Sequence, residues 1–212
     1  PSLGKQDLPA ENAVIACAVE KKDGLDVVTH DLDTTGILYA RMAFDLSAVP
    51  SRLLPLTPLY ARALTELGTK HSDYVKLGFE ISAHTGSLGA GAVVLPRLSD
   101  AAPVTFLSFS GKCTADKVDR MTALMEEILS EPDFDNRERF MQMALEEKAR
   151  MEQAAVPSGH TLVNTRLNGR LSAAGRISEE MNGVNALFHV RELIRRLEQD
   201  WESVRLDLVG LH

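Results

Sequence analysis

The residues best suited to chemistry are the six histidines, His30, His71, His84, His160, His189 and His212. No two of them stand four apart, so no helix presents two imidazoles on one face. The nearest approach to a zinc signature is His189-Val190-Arg191-Glu192-Leu193. An inverted zinc motif, H-x-x-E-H, needs a second imidazole where Leu193 stands. One imidazole beside one carboxylate does not hold a catalytic zinc, so His189 is expected to be a partly exposed helix residue. Gly86-Ser87-Leu88-Gly89-Ala90-Gly91 superficially resembles a phosphate loop. It lacks the Lys-Ser/Thr ending and leads from a helix into a strand, the reverse of a helix-dipole anion site. A helix end followed by a Gly-rich strand is expected there, its glycines admitting a close backbone neighbour. Ser110-Gly111 and Ser158-Gly159-His160 lack the G-x-S-x-G of a nucleophile elbow. The carboxylate pairs Glu126/Glu127, Glu146/Glu147 and Glu179/Glu180 read as solvated helix faces, with Glu146 and Arg150 an i, i+4 pair. Met121, Met125, Met141 and Met151 fit core stripes. No catalytic residue, metal ligand or cofactor is expected in this chain.

The elements that must carry these residues belong to a chain of 212 residues, 44% hydrophobic and 25% charged. That is ample for one domain with a real core. No apolar run approaches the ~20 residues needed to cross a bilayer. The formal charge is −7. Divided after Cys113, neither half is basic, so no nucleic-acid footprint is expected. Arg191, Arg195 and Arg196 are diluted by Glu192 and Glu198. Cys17 and Cys113 form no C-x-x-C pair and read as idle thiols, with a disulfide left open. No secretory n- and h-region opens the chain, and its start, Pro1-Ser2-Leu3-Gly4, suggests a piece excised from something longer.

Residues 1–12 read as a polar lead-in. Ala13 to Val19 and Leu25 to His30 are strand-like, the second entered through the turn signal Lys22-Asp23-Gly24. Ile37 to Leu46 alternates, with Leu38, Ala40, Met42, Phe44 and Leu46 expected beneath the helices and Ile37, Tyr39, Arg41, Ala43 and Asp45 facing away. Ser51 is expected to cap a helix with a stripe from Leu53 to Leu67, ended by Gly68. Ser72 would open a second helix, with Val75 and Phe79 inward. Leu88 to Leu95 and Val104 to Ser110 predict a hairpin. Thr114 is expected to cap a helix burying Val118, Met121, Leu124, Met125 and Ile128. Asp135 with Glu138 predicts a capping box opening a helix to about Ala155, with Met141, Ala144, Leu145 and Met151 inward. From His160 to Leu208 the pattern is helical, broken at Gly175 and Gly183. This order predicts an α+β domain, a mostly antiparallel sheet with helices packed on one face.

Several segments together resemble a known family. They are Gly36-Ile37-Leu38-Tyr39-Ala40-Arg41-Met42-Ala43-Phe44-Asp45-Leu46-Ser47, Leu54-Pro55-Leu56 onward to Leu64-Thr65-Glu66-Leu67-Gly68-Thr69, and Tyr74 with His84-Thr85-Gly86-Ser87. Asn136-Arg137-Glu138-Arg139-Phe140, Leu145-Glu146-Glu147-Lys148-Ala149-Arg150, Pro157-Ser158-Gly159-His160 and Ser172-Ala173-Ala174-Gly175 leading to Glu180 continue the series. From about residue 25 to 208 the chain resembles the presequence-protease branch of the pitrilysin/insulysin-type zinc metallopeptidases.

The resemblance implies one of four related α+β domains that close in two halves around a peptide chamber, here the third, peptidase-associated and non-catalytic domain. Zinc would lie in the parent's first domain, where a zinc-bound water and a glutamate base would do the hydrolysis. Residues 1–24 would be a lead-in with the first strand, 25–208 the domain, and 209–212 a tail. Tyr39 and Arg41 would face the chamber. The implied partners are the other domains of the parent chain and, for the parent, short unfolded peptides, with neither nucleic acid nor membrane. The alternative is a non-enzymatic scaffold subunit of the same fold that has lost the zinc site.

Overall fold

The computed structural model describes Gly4, Asp7 and residues 14–212, so most of the 1–12 lead-in and Ala13 lie outside the described residues. The chain divides into two compact units, residues 1–36 and 37–212.

In the first unit β1 (Ala18–Lys22) pairs antiparallel with β2 (Leu25–Thr29). The turn between them holds Asp23 at φ 52° and Gly24 at φ 84°. Two consecutive left-handed residues make the tight hairpin turn that matches strand twist. The first strand therefore starts at Ala18, and residues 14–17, expected within it, lie outside it, because pairing from this turn sets its length.

The second unit is the α+β domain. Its sheet holds β3 (Ile37–Asp45), β4 (Ser87–Pro96) and β5 (Pro103–Thr114) in the order β3-β5-β4, both pairings antiparallel. Along β5, Thr105, Leu107, Phe109, Gly111 and Cys113 are buried and the residues between them are half-buried. This is the period-two pattern of a strand covered on one face.

Most of the helices begin near sites legible in the sequence, and the caps show why others move. A 3-10 turn, Leu54–Leu56, precedes α1 (Thr57–Glu66). Pro55 and Pro58 sit in first turns, where a missing N–H costs least, so the helix starts after Ser51. Gly68 stops it at φ 107°. Helix α2 (Tyr74–His84) is capped by Asp73, whose carboxylate accepts from the backbone N–H of Val75 and Lys76. Leu77 is its buried residue, whereas Val75 and Phe79 are exposed, contrary to expectation. A short 3-10 turn leads into α3 (Val118–Ser130), which buries Met121, Leu124, Met125 and Ile128 as its period requires. Asn136 rather than Asp135 caps α4 (Arg137–Ala154), accepting from Arg139 N–H. That rotates Phe140, Met143 and Ala144 inward and leaves Leu145 exposed. Helices α5 (Gly159–Leu171), α6 (Ala173–Asn182), α7 (Val184–Gln199) and α8 (Trp201–Leu211) follow. The α5–α6 break falls at Ser172, which caps α6 through the N–H of Gly175, and Asp200 makes a further break by accepting from Ser203 N–H.

Helices α1 and α3 pack beneath β4 and β5. At Gly111 an added Cβ would stand 2.9 Å from both Leu88 Cδ1 and Met121 Sδ, so the glycine leaves room for these two side chains to pack against β5. Among the described residues no helix packs closely beneath β3. Leu38, Met42 and Phe44 are accordingly 41%, 37% and 42% exposed, and of the expected inward set only Leu46 is fully buried. The face assignment holds; the burial fails, because β3 overhangs the helix layer. Phe109, with no exposure, should lose ~3–5 kcal/mol on truncation to alanine. Phe44→Ala should cost only ~1 kcal/mol in this chain, and denaturant melts of the two variants check the contrast.

Candidate functional site: the open face of the sheet

The register lays three rows across the strands on the face away from the helices. Tyr39 pairs with Lys112 and Lys112 with Ser87; Arg41 with Ser110 and Ser110 with Gly89; Ala43 with Ser108 and Ser108 with Gly91. A Cβ added at Gly89 or Gly91 would meet no atom within 4 Å. The close backbone neighbour expected at these glycines is not present; they form an open floor with Ser108 and Ser110. Tyr39 is 63% exposed. Arg41 and Lys112 form no ion pair among the described residues. Asp45, on the same face, is tied locally. Its carboxylate accepts from the Ser47 hydroxyl at 2.7 Å and N–H at 2.8 Å, and these bonds hold the carboxyl below its ordinary range. The face thus offers two unpaired cations and an aromatic ring beside a floor of small residues. Its cationic groups are of the kind that donate to carbonyl or carboxylate oxygens.

The other sequence candidates disperse. Among the described residues no three His, Cys, Asp or Glu side chains gather as a metal site. Cys17 is exposed, Cys113 is buried and both are free. The Nε2 of His189 is buried without a partner, and burial, aided by the Arg196 charge, pushes its pKa down. Near it lies a junction that sequence reasoning missed. Asp207 on α8 is buried and accepts from Arg52 at 2.6 Å and from Arg196 of α7 at 2.7 Å. A second network joins α1 to α4, with Glu66 held by Arg62 and Arg139, and Glu146 by Arg62 and Arg139. These partners lie up to 155 residues apart, beyond any local spacing rule.

Comparison with known proteins agrees with this architecture. A family model describing the associated region of the M16 peptidases, subfamily C, matches residues 1–193, and the chain belongs to that family. It is 32% identical over 208 residues to presequence protease 1, chloroplastic/mitochondrial, of Arabidopsis thaliana, covering 98% of this chain and 19% of that protein. Protein HypA of Clostridium perfringens is 29% identical, covering 87% of this chain and 19% of its own length. The mitochondrial presequence protease of Saccharomyces cerevisiae is 26% identical over 94% of this chain and 20% of its length. The chain therefore spans about a fifth of the length of these relatives. A conserved protein from Enterococcus faecalis V583 shares the fold, with a TM-score of 0.53 at 14% identity over 76% of this chain and 40% of that one.

The Asp207 junction makes a pH prediction. Burial raises the Asp207 carboxyl, but hydrogen bonds from Arg52 and Arg196 outweigh it and leave the pKa below its ordinary value. An aspartate depressed in the folded state contributes stability above its unfolded value and loses it as pH falls through the folded one. Asp207→Asn should cost ~1–3 kcal/mol at neutral pH. The gap from the unmodified chain should close below about pH 4, the ordinary aspartate range. Denaturant melts at a series of pH values measure both.

Proposed function

We propose that this chain is a non-catalytic structural domain of a zinc-dependent oligopeptidase and forms part of the wall of its peptide chamber. What supports the reading is the match of the family model to residues 1–193 and of nearly the whole chain to 19% of a presequence protease. The zinc and its chemistry would belong to another domain of the parent, and the partners of this chain would be those other domains. Tyr39 and Arg41 would face the chamber. There Arg41 would donate to the backbone carbonyls of an extended, unfolded peptide, and the Tyr39 ring would pack on its side chains.

The test uses the full-length protein. Chelator-sensitive cleavage of unstructured peptides is expected from the full-length enzyme, and none from residues 1–212 alone. Arg41→Ala should leave stability within ~0.5 kcal/mol, as a surface change does, while raising KM for peptides with kcat nearly unchanged. A full-length protein that cleaves nothing would instead be the scaffold subunit. Cleavage by the 212-residue chain would place the chemistry here after all.

A further inference from the structure

The outer face of the sheet carries two cations side by side. Arg41 pairs with Ser110 and Tyr39 with Lys112, which makes Arg41 and Lys112 diagonal neighbours, ~7–8 Å apart at the backbone. Like charges on neighbouring strands repel. The chain has a formal charge of −7, yet neither cation has an ion partner among the described residues. Other arginines of this unit are held by carboxylates, as Arg62 and Arg139 are by Glu66 and Glu146. The acids next along the two strands are engaged elsewhere. Asp45, four residues beyond Arg41, is bonded to Ser47. Asp116, four residues beyond Lys112, takes a hydrogen bond from the Thr114 side chain. The stem of Lys112 lies along Gly86, where an added Cβ would stand 3.4 Å from its Cγ and Cε. Lys112 therefore leans toward the β4 side, and the two cations offer separate posts rather than one fork. The floor beside them, Ser110 and Gly89, is small and uncharged.

We propose that Arg41 and Lys112 make this face selective for extended peptide segments bearing two carboxylate side chains two residues apart, one on each cation. The proposal deepens the reading of the face as one that meets unfolded peptides, and rests on it. An extended chain sends side chains i and i+2 to the same side at a spacing of ~7 Å, which is the spacing of the diagonal. Two carboxylates offset the repulsion between the cations, whereas a basic segment adds to it. A chain terminus by itself fills one post only. Guanidinium and ammonium groups both donate to carboxylate oxygens, and charge-assisted bonds of this kind are stronger than those to neutral carbonyls.

The test is peptide binding to the full-length protein, with a chelator present so that peptides stay whole. Fluorescence anisotropy compares labelled, C-terminally amidated, unstructured peptides that differ only in a central Glu-Ser-Glu, Gln-Ser-Gln or Glu-Ser-Ser-Glu. The Glu-Ser-Glu peptide should bind roughly three- to tenfold tighter than Gln-Ser-Gln, the range two exposed charge pairs supply. The Glu-Ser-Ser-Glu peptide should fall short of it, because that spacing sends the two carboxylates to opposite sides. The advantage should shrink as salt is raised. Lys112→Met keeps the apolar stem and should remove most of the advantage while leaving the Gln-Ser-Gln affinity unchanged. Lys112→Arg should retain it. Should Lys112→Met not fold, Lys112→Gln takes its place. Equal affinity for Glu-Ser-Glu and Gln-Ser-Gln would overturn the proposal. So would equal affinity for the two glutamate spacings, or a full advantage in the variant that lacks the Lys112 charge. Cleavage does not enter this readout, and a missing preference leaves the effect of Arg41→Ala on KM to be judged by itself, so the two readings fail separately.

Discussion

The close approach of α3 to β5 at Gly111 is the contact on which the rest of the second unit depends. A side chain there would have to displace the ends of the Leu88 and Met121 side chains, which pack over the glycine. With glycine in place, Met121 reaches the sheet, and Phe109, Leu64, Leu124 and Ile128 close into one core with no more than 1% exposure each. Interiors packed at crystal-like density tolerate little intrusion, so this contact fixes where the helix layer sits. It sits under β4 and β5, and β3 is left beyond its edge.

Two consequences follow for the faces of the sheet. The inner face is divided, buried along β5, half-buried along β4 and open under β3. The outer face keeps its floor of Gly89, Gly91, Ser108 and Ser110 clear, flanked by Arg41, Lys112 and Tyr39. The helices are then locked by charge as well as by packing. Arg139 reaches from α4 to Glu66, and Arg52 and Arg196 converge on Asp207. Of these carboxylates Asp207 is buried, and removing one of its partners would cost more than the pair contributes, because it would leave a buried charge uncompensated.

The architecture was largely legible because its signals are local. The alternation of Val104 to Ser110, the stripe of α3 and the stop at Gly68 each depend on neighbours a few residues away. What escaped depends on distance. Whether Phe44 is covered is decided by where α3 packs, not by the alternation of β3. Which face of α2 turns inward depends on its contacts with other helices, so Leu77 is buried while Phe79 is exposed. The carboxylates of Asp207 and Glu179 look like ordinary helix-surface residues in sequence, yet both are buried against arginines from other elements. The site was legible in part: the side of the sheet bearing Tyr39 and Arg41 follows from period two alone, while Lys112 joined it only through the register of β3 with β5.

The proposal with most at stake is that the Tyr39–Arg41 face would meet unfolded peptides in a larger protein of which this chain would be one domain. The most direct measurement is hydroxyl-radical footprinting of the full-length protein with and without a bound unfolded peptide. Tyr39 and Phe79 serve as internal probes, 63% and 70% exposed and on different elements of the fold. Oxidation of Tyr39 should fall several-fold when peptide is added while that of Phe79 stays constant. Unchanged oxidation of Tyr39 under saturating peptide would contradict the assignment of that face to the chamber.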